Sequence, residues 1–289
     1  KPLLLVAIAM VAFAANSLLC RMALAHTSID PASFTAVRLS SGAWALLFLS
    51  FVLKHRVLTT GPYKNLWQGL KNNANLLGGL TLFLYALCFS YAYVSMSTGT
   101  GALLLFGAVQ LTMISFGLAS GERFKFLQWL GFILAFAGLV ILLLPSASAP
   151  PLLAGVIMVA AGMSWGVYSL LGKKSSSALL ATSGNFVYAT VLCFVLGVVV
   201  HFMIGFNLVL DTKGLLYAIA SGVVASGCGY AIWYSALPLI KSTTAATVQL
   251  SVPVLATLVG RAVLGEQLSL QITIASGMTT GGIYLVIKN

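Results

Sequence analysis

Apolar residues in this chain run for about twenty positions at a time, and the short connections between the runs carry most of the charge. A helix of that length rises about 30 Å, the thickness of a bilayer's hydrocarbon core. The pattern predicts ten membrane-spanning helices, near 3–25, 32–53, 75–95, 98–119, 126–144, 152–172, 181–204, 214–237, 242–264 and 269–287. The first run reads as a membrane helix and not a cleaved leader. It exceeds twenty residues and meets His26-Thr27-Ser28-Ile29-Asp30-Pro31 where a cleavage site would need small residues.

Composition supports this reading: 60% hydrophobic and 7% charged residues leave too little polar surface to coat a soluble globule of 289 residues. The net charge of +11 does not point to nucleic acid, because the cations are sorted by membrane side and form no patch interleaved with aromatics. With the amino terminus cytoplasmic, eleven of the fifteen Lys and Arg fall on that side, Lys213 and Arg261 fall on the other, and Arg21 and Arg38 lie within spans. The positive-inside rule then places both termini in the cytoplasm, which requires an even number of spans. The four cysteines, Cys20, Cys88, Cys193 and Cys228, all lie in spans without a Cys-x-x-Cys pair. They read as packing residues and do not report a redox compartment.

The chain also reads as a duplication. Its one Pro/Ser-rich segment, Pro145 to Pro151, falls at the midpoint, so residues 1–146 and 147–289 each hold five spans. A shift of 144 positions aligns Gly121-Glu122 with Gly265-Glu266, each just after a fourth or ninth span, and also Ala92 with Ala236, Thr100 with Thr244 and Gly138 with Gly282. An odd number of spans per half makes the second half enter from the opposite side, so the repeats are inverted. Inverted repeats are the architecture of alternating access, in which a central site opens first to one side and then to the other.

With Ser164-Trp165-Gly166 in the sixth span and Pro253 in the ninth, the paired Gly-Glu elements make the whole chain resemble the EamA-type branch of the drug/metabolite transporter superfamily. Within it, the chain is most similar to the bacterial aromatic amino acid exporters of the inner membrane. The resemblance implies eight helices forming a basket around a central cavity, with the fifth and tenth spans set apart as packing elements. The first half departs from the pattern, with Val109 where the second half has Pro253.

Polar groups at mid-membrane depth are costly unless they face a cavity or a partner helix, so they point to the site. Asn16, Tyr85, Gln110, Trp165, Tyr168, Tyr230 and Gln249 lie near span centres, on spans that correspond under the repeat. Trp165 with Tyr168, and Tyr230 with Trp233, are three residues apart and share a helix face that can stack an aromatic substrate. Arg38 lies about 9 Å inside span two by helical rise, where it either meets a substrate carboxylate or reaches out to the interface. These nine residues are the expected substrate-binding set, with interhelical packing as the competing role for each. Gly117-x-x-x-Gly121, Gly162-x-x-x-Gly166 and Gly277-x-x-x-Gly281 are expected to bring helices close.

An intramembrane enzyme would need a reactive constellation at depth, but the three histidines and four acids all lie near span ends. No ring of charge or carbonyl filter marks a channel, and no nucleotide-binding loop marks a pump. The reading is an inner-membrane carrier, neither enzyme nor cofactor-dependent, that exports small amphipathic metabolites, foremost aromatic amino acids, without proton coupling. Other amino acids, nucleobase-like metabolites and proton antiport stay open as alternatives. The partners are a small-molecule substrate and the lipid bilayer, with no nucleic acid; the oligomeric state is open and compatible with a monomer.

Overall fold

Several helix starts are set by side chains that accept the orphan amides of a first turn. Asp30 takes the amides of Ala32 and Ser33, both at 2.9 Å, and Pro31 opens the next helix at the position where a missing amide costs nothing. Asn65, Asn75 and Asp211 cap later helices in the same way. The left-handed glycines Gly121 (φ 94°), Gly205 (φ 66°) and Gly265 (φ 65°) follow helix ends, in a conformation that only glycine adopts without strain. Each Gly-Glu element therefore begins with the residue that ends a span.

The computed structural model describes residues 2–53, 65–119, 121, 123–144, 149–172, 177–205, 208–236, 248–249 and 251–288. Glu122 and the opening of the expected ninth span, 242–247 and 250, lie outside the described residues. The chain is all-α among these residues, and eight helical runs are long and apolar enough to cross a membrane. They are α1 (Pro2–His26), α2 (Pro31–Val52), α4 (Leu76–Tyr93), α5 (Thr98–Ala119), α6 (Phe126–Leu143), α7 (Leu152–Gly172), α8 (Ala178–Ile204) and a composite run. That run joins α9 (Thr212–Ala220), the π-helical π1 (Ser221–Cys228) and α10 (Gly229–Ala236). After it come α11 (Ser251–Leu264), a shorter apolar helix, and α12 (Leu270–Lys288). These helices coincide with the ten expected spans, the ninth over its described part. The short α3 (Leu66–Asn73) occupies what the hydrophobic pattern reads as a connection.

Helix partners exchange when each first-half helix is replaced by its counterpart 144 residues on. α4 packs on α7, and α1 packs on the composite run; α4 packs on α8, and α2 packs on the composite run; α2 with α8, α5 with α11 and α6 with α12 are self-corresponding pairs. The α6–α12 pair is the most extensive contact in the bundle, and small residues bring it together. A side chain on Gly282 would fall 2.5 Å from the Ala135 nitrogen, and one on Gly131 would fall 2.5 Å from the Gly282 oxygen. Gly162 and Gly166 bring α7 onto α5 as expected, against the Leu105 and Val109 carbonyls. Gly277 and Gly281 do not: nothing lies within 4 Å of either, and the seam runs one residue on, through Gly282. The four cysteines are free, Cys20 and Cys193 buried and Cys228 exposed. Trp67 and Trp129 are exposed, as expected of interfacial aromatics.

A candidate substrate site in the bundle centre

Faces of five helices converge on the middle of the bundle. On α1, Phe13 and Asn16 lie three residues apart; on α4, Tyr85 and Phe89 lie four apart; α7 and α10 supply Trp165 and Tyr230. Together with neighbours on α5 they enclose a cavity of about 10 Å³, room for one water molecule. The rings close it: Trp165 lies 4.7 Å from Tyr230 and 4.9 Å from Tyr85, centroid to centroid, and Phe13 meets Trp165 edge-on at 6.2 Å. Phe13 also touches Trp233 at 5.9 Å and Phe106 at 6.4 Å, which brings the α10 and α5 faces into the same cluster. Tyr168 stacks on Trp165 at 5.4 Å and turns its hydroxyl to Thr182 and Asn185 of α8.

Behind the Tyr85, Phe89 and Tyr230 wall lies Arg38, 1% exposed and therefore not reaching the membrane surface. Its Nε donates to the Ser226 hydroxyl at 3.2 Å, and one terminal nitrogen donates to the hydroxyls of Tyr85 at 3.2 Å and Tyr230 at 3.4 Å. The guanidinium carbon sits 4.9 Å from the Phe89 ring centre and 5.3 Å from that of Tyr85. Its other terminal nitrogen is buried without a hydrogen-bond partner. Asn16 completes the network: its amide donates to the Tyr85 hydroxyl at 3.3 Å, and its carbonyl accepts from Ser221 at 2.7 Å. Both serines lie on π1. A π-helical turn is wider than an α-turn and is frequent at functional sites.

The structure thus gathers seven of the nine expected residues: Asn16, Arg38, Tyr85, Trp165, Tyr168, Tyr230 and Trp233. Gln110 is buried one turn beyond Phe106 on the same face of α5, with its amide nitrogen unpartnered and no hydrogen bond to the cluster. Gln249 is buried in the two-residue stretch 248–249, between residues outside the described set. Sequence reasoning missed Phe13, Phe89, Phe106 and Ser221. The phenylalanines carry no signal that separates them from lipid-facing ones, and Ser221 becomes informative only through Asn16.

A second polar cluster ties the two halves at one end. Glu266 accepts the Thr98 amide at 2.8 Å and its hydroxyl at 3.0 Å, which caps α5 from the opposite half of the chain. Arg21 stands 3.8 Å from Glu266 and donates to the Tyr93 and Val94 carbonyls at 2.9 and 2.8 Å. Arg21 therefore closes the end of α4 instead of reaching for the interface. A hollow of about 760 Å³ lies elsewhere, on the outer side of α2, α4 and α8; its wall is almost wholly apolar, and it holds none of the gathered residues.

Residues 1–144 match the EamA-like transporter family, and residues 152–288 match it again. An uncharacterized protein of Pseudomonas aeruginosa, PA1977, is 48% identical over 287 residues, covering 99% of this chain and 94% of its own. An uncharacterized transporter of Archaeoglobus fulgidus is 28% identical over 72% of this chain and 73% of its own. A protein of known crystal structure shares the fold, with a TM-score of 0.62 at 18% identity over 97% of this chain and 96% of that one. A multi-pass bundle that matches one transporter family over both of its halves has a plain assignment: the chain belongs to the EamA-like transporter family.

Proposed function

We propose that this membrane transporter exports small amphipathic metabolites, foremost aromatic amino acids, from the bacterial cytoplasm across the inner membrane, with both termini cytoplasmic. The observation that carries the reading is the central cluster, where aromatic rings from five helices surround a cavity backed by a buried arginine. The rings offer faces and edges for an aromatic side chain, and the polar network of Asn16, Tyr85 and Tyr230 gives it an orientation. A substrate larger than water must part the rings, so binding is coupled to movement of the helices that carry them.

The exchange of helix partners between residues 1–146 and 147–289, and the repeated family match, support inverted repeats and with them alternating access. Gln110, one turn from the cavity, and Gln249, on the repeat-related span, belong to the route by which substrate leaves the site. Transport runs on the substrate's own gradient. The test is reconstitution in liposomes with labelled phenylalanine, tyrosine and tryptophan beside leucine and adenine. Saturable counterflow of the aromatic amino acids, lost in Trp165→Ala with folded yield retained, is the expected result. Counterflow of leucine or adenine alone would replace the aromatic reading.

A further inference from the structure

The chemistry of the same cluster narrows the substrate further, on the reading that this is where substrate binds. We infer that the carrier recognises an anionic group on its substrate and makes no use of an ammonium group, so that aromatic monocarboxylates without an α-amino group are transported alongside the amino acids.

The central network is rich in donors and poor in acceptors. Arg38 brings a full positive charge, and every hydrogen-bond partner it has is a neutral hydroxyl, on Ser226, Tyr85 and Tyr230. One of its terminal nitrogens has no hydrogen-bond partner among the described residues. The Asn16 amide and the Tyr230 hydroxyl each donate to the same Tyr85 oxygen. No carboxylate among the described residues balances this charge. Asp30 and Asp211 are held at the starts of α2 and α9, and Glu266 is held by Thr98 and Arg21. In a low-dielectric interior, such an arrangement draws in an anion and repels a second cation.

An ammonium group would find no anionic acceptor among the described residues and would have to lie beside the charge of Arg38. The carbonyl of Asn16 already accepts from Ser221. The faces of Tyr85 and Phe89, which would otherwise attract a cation, are taken by the guanidinium of Arg38. A carboxylate entering the cavity instead meets the Tyr85 hydroxyl, whose oxygen accepts from Arg38, Asn16 and Tyr230 and whose own hydrogen is thereby polarised and left to donate. Arg38 thus supplies the field, Tyr85 supplies the contact with Tyr230 bonded behind it, and Trp165 holds the ring.

The experiment uses the full chain in liposomes, with labelled phenylalanine counterflow as the readout and three competitors that differ only in their charged groups. 3-Phenylpropionate keeps the carboxylate and lacks the amine. Phenethylamine and phenylalaninamide keep the amine and lack the carboxylate. The expected result is that 3-phenylpropionate competes at least as well as unlabelled phenylalanine, while neither amine competes at a concentration about ten times higher. Tyr85→Phe/Tyr230→Phe keeps both rings and should weaken 3-phenylpropionate about 10- to 100-fold, the range for losing charge-assisted hydrogen bonds. Arg38→Gln should erase the preference for the carboxylate over the amines. If Arg38→Gln does not fold, the tyrosine double variant decides alone. Phenylalanine flux that phenethylamine inhibits and 3-phenylpropionate does not would overturn the inference and leave the proposed aromatic substrate standing. Unchanged selectivity in the tyrosine double variant would overturn it too. Absence of flux for every aromatic compound would instead remove the proposed function, and this inference with it.

Discussion

Glu266 and Thr98 are 168 residues apart, on opposite halves of the chain, yet the carboxylate of one accepts both the amide and the hydroxyl of the other. The contact explains why a glutamate follows the left-handed Gly265. The glycine ends α11, and the next residue turns back to cap the facing helix α5. Replacing Glu266 with Ala strips that cap and should cost about 0.5–2 kcal/mol of stability, with Glu266→Gln in between because it keeps an acceptor without the charge. Thermal unfolding in detergent gives the order. An unchanged melting temperature in Glu266→Ala would show that the contact does not hold the halves together.

The α6–α12 seam offers a test with its own control. Gly281 and Gly282 are neighbours in α12, but only at Gly282 would a new methyl meet backbone of α6; around Gly281 nothing lies within 4 Å. Gly282→Ala should therefore destabilise the bundle by about 1–3 kcal/mol, the usual cost of overpacking, while Gly281→Ala should be neutral or better, because alanine favours a helix. Equal melting temperatures for the two variants would contradict the packing described.

Helix positions were legible because twenty apolar residues in a row have few alternatives. Asn16, Arg38, Trp165 and Tyr230 were legible because each is expensive at membrane depth unless something receives it. The same logic is blind to Phe13, Phe89 and Phe106, which are as apolar as any lipid-facing residue. It places Glu266 correctly at a helix end but cannot foresee that it caps another helix. Gly277-x-x-x-Gly281 showed the spacing of a close-packed seam but sits one residue off it, and a shift of about 100° around a helix cannot be read from spacing alone. The π-helical stretch at Ser221–Cys228 carries no marker in sequence that would separate it from ordinary helix.

Five spans separate residue 123, just after α5, from residue 267, just after α11, so the inverted topology places these repeat-related positions on opposite faces of the membrane. In a background without Cys20, Cys88, Cys193 and Cys228, a cysteine at Gln267 should react with an impermeant maleimide added outside cells, and one at Arg123 only after the inner face is opened. Arg123 and Gln267 are both exposed, so access to the reagent is limited only by the membrane. Reaction of both from the same side would rule out the inverted arrangement.

The proposed gradient-driven transport rests on where the carboxylates and imidazoles lie, and it predicts how voltage and pH act on flux. Among the described residues, Asp30, Asp211 and Glu266 accept hydrogen bonds at helix starts, and His26 and His201 fall in the last turns of α1 and α8. None of these carboxylates and imidazoles stands beside the central cluster, whose own ionisable neighbours of Arg38 are the Tyr85 and Tyr230 hydroxyls and the Cys20 thiol. Arg38 returns to its starting position at the end of each cycle, so the net charge moved is that of the substrate alone. Phenylalanine, a net-neutral zwitterion, should then equilibrate at equal concentrations whatever voltage or pH difference is imposed. A monocarboxylate such as 3-phenylpropionate carries one negative charge, and a potential negative inside drives it out. At 100 mV the electrical work is about 2.3 kcal/mol, which sustains an outside-to-inside ratio of roughly 50-fold. The measurement is net flux from proteoliposomes with the potential set by a potassium gradient and valinomycin, and with pH varied separately. Phenylalanine accumulated by a pH difference alone, at clamped voltage, would establish proton coupling and refute the gradient-driven mechanism.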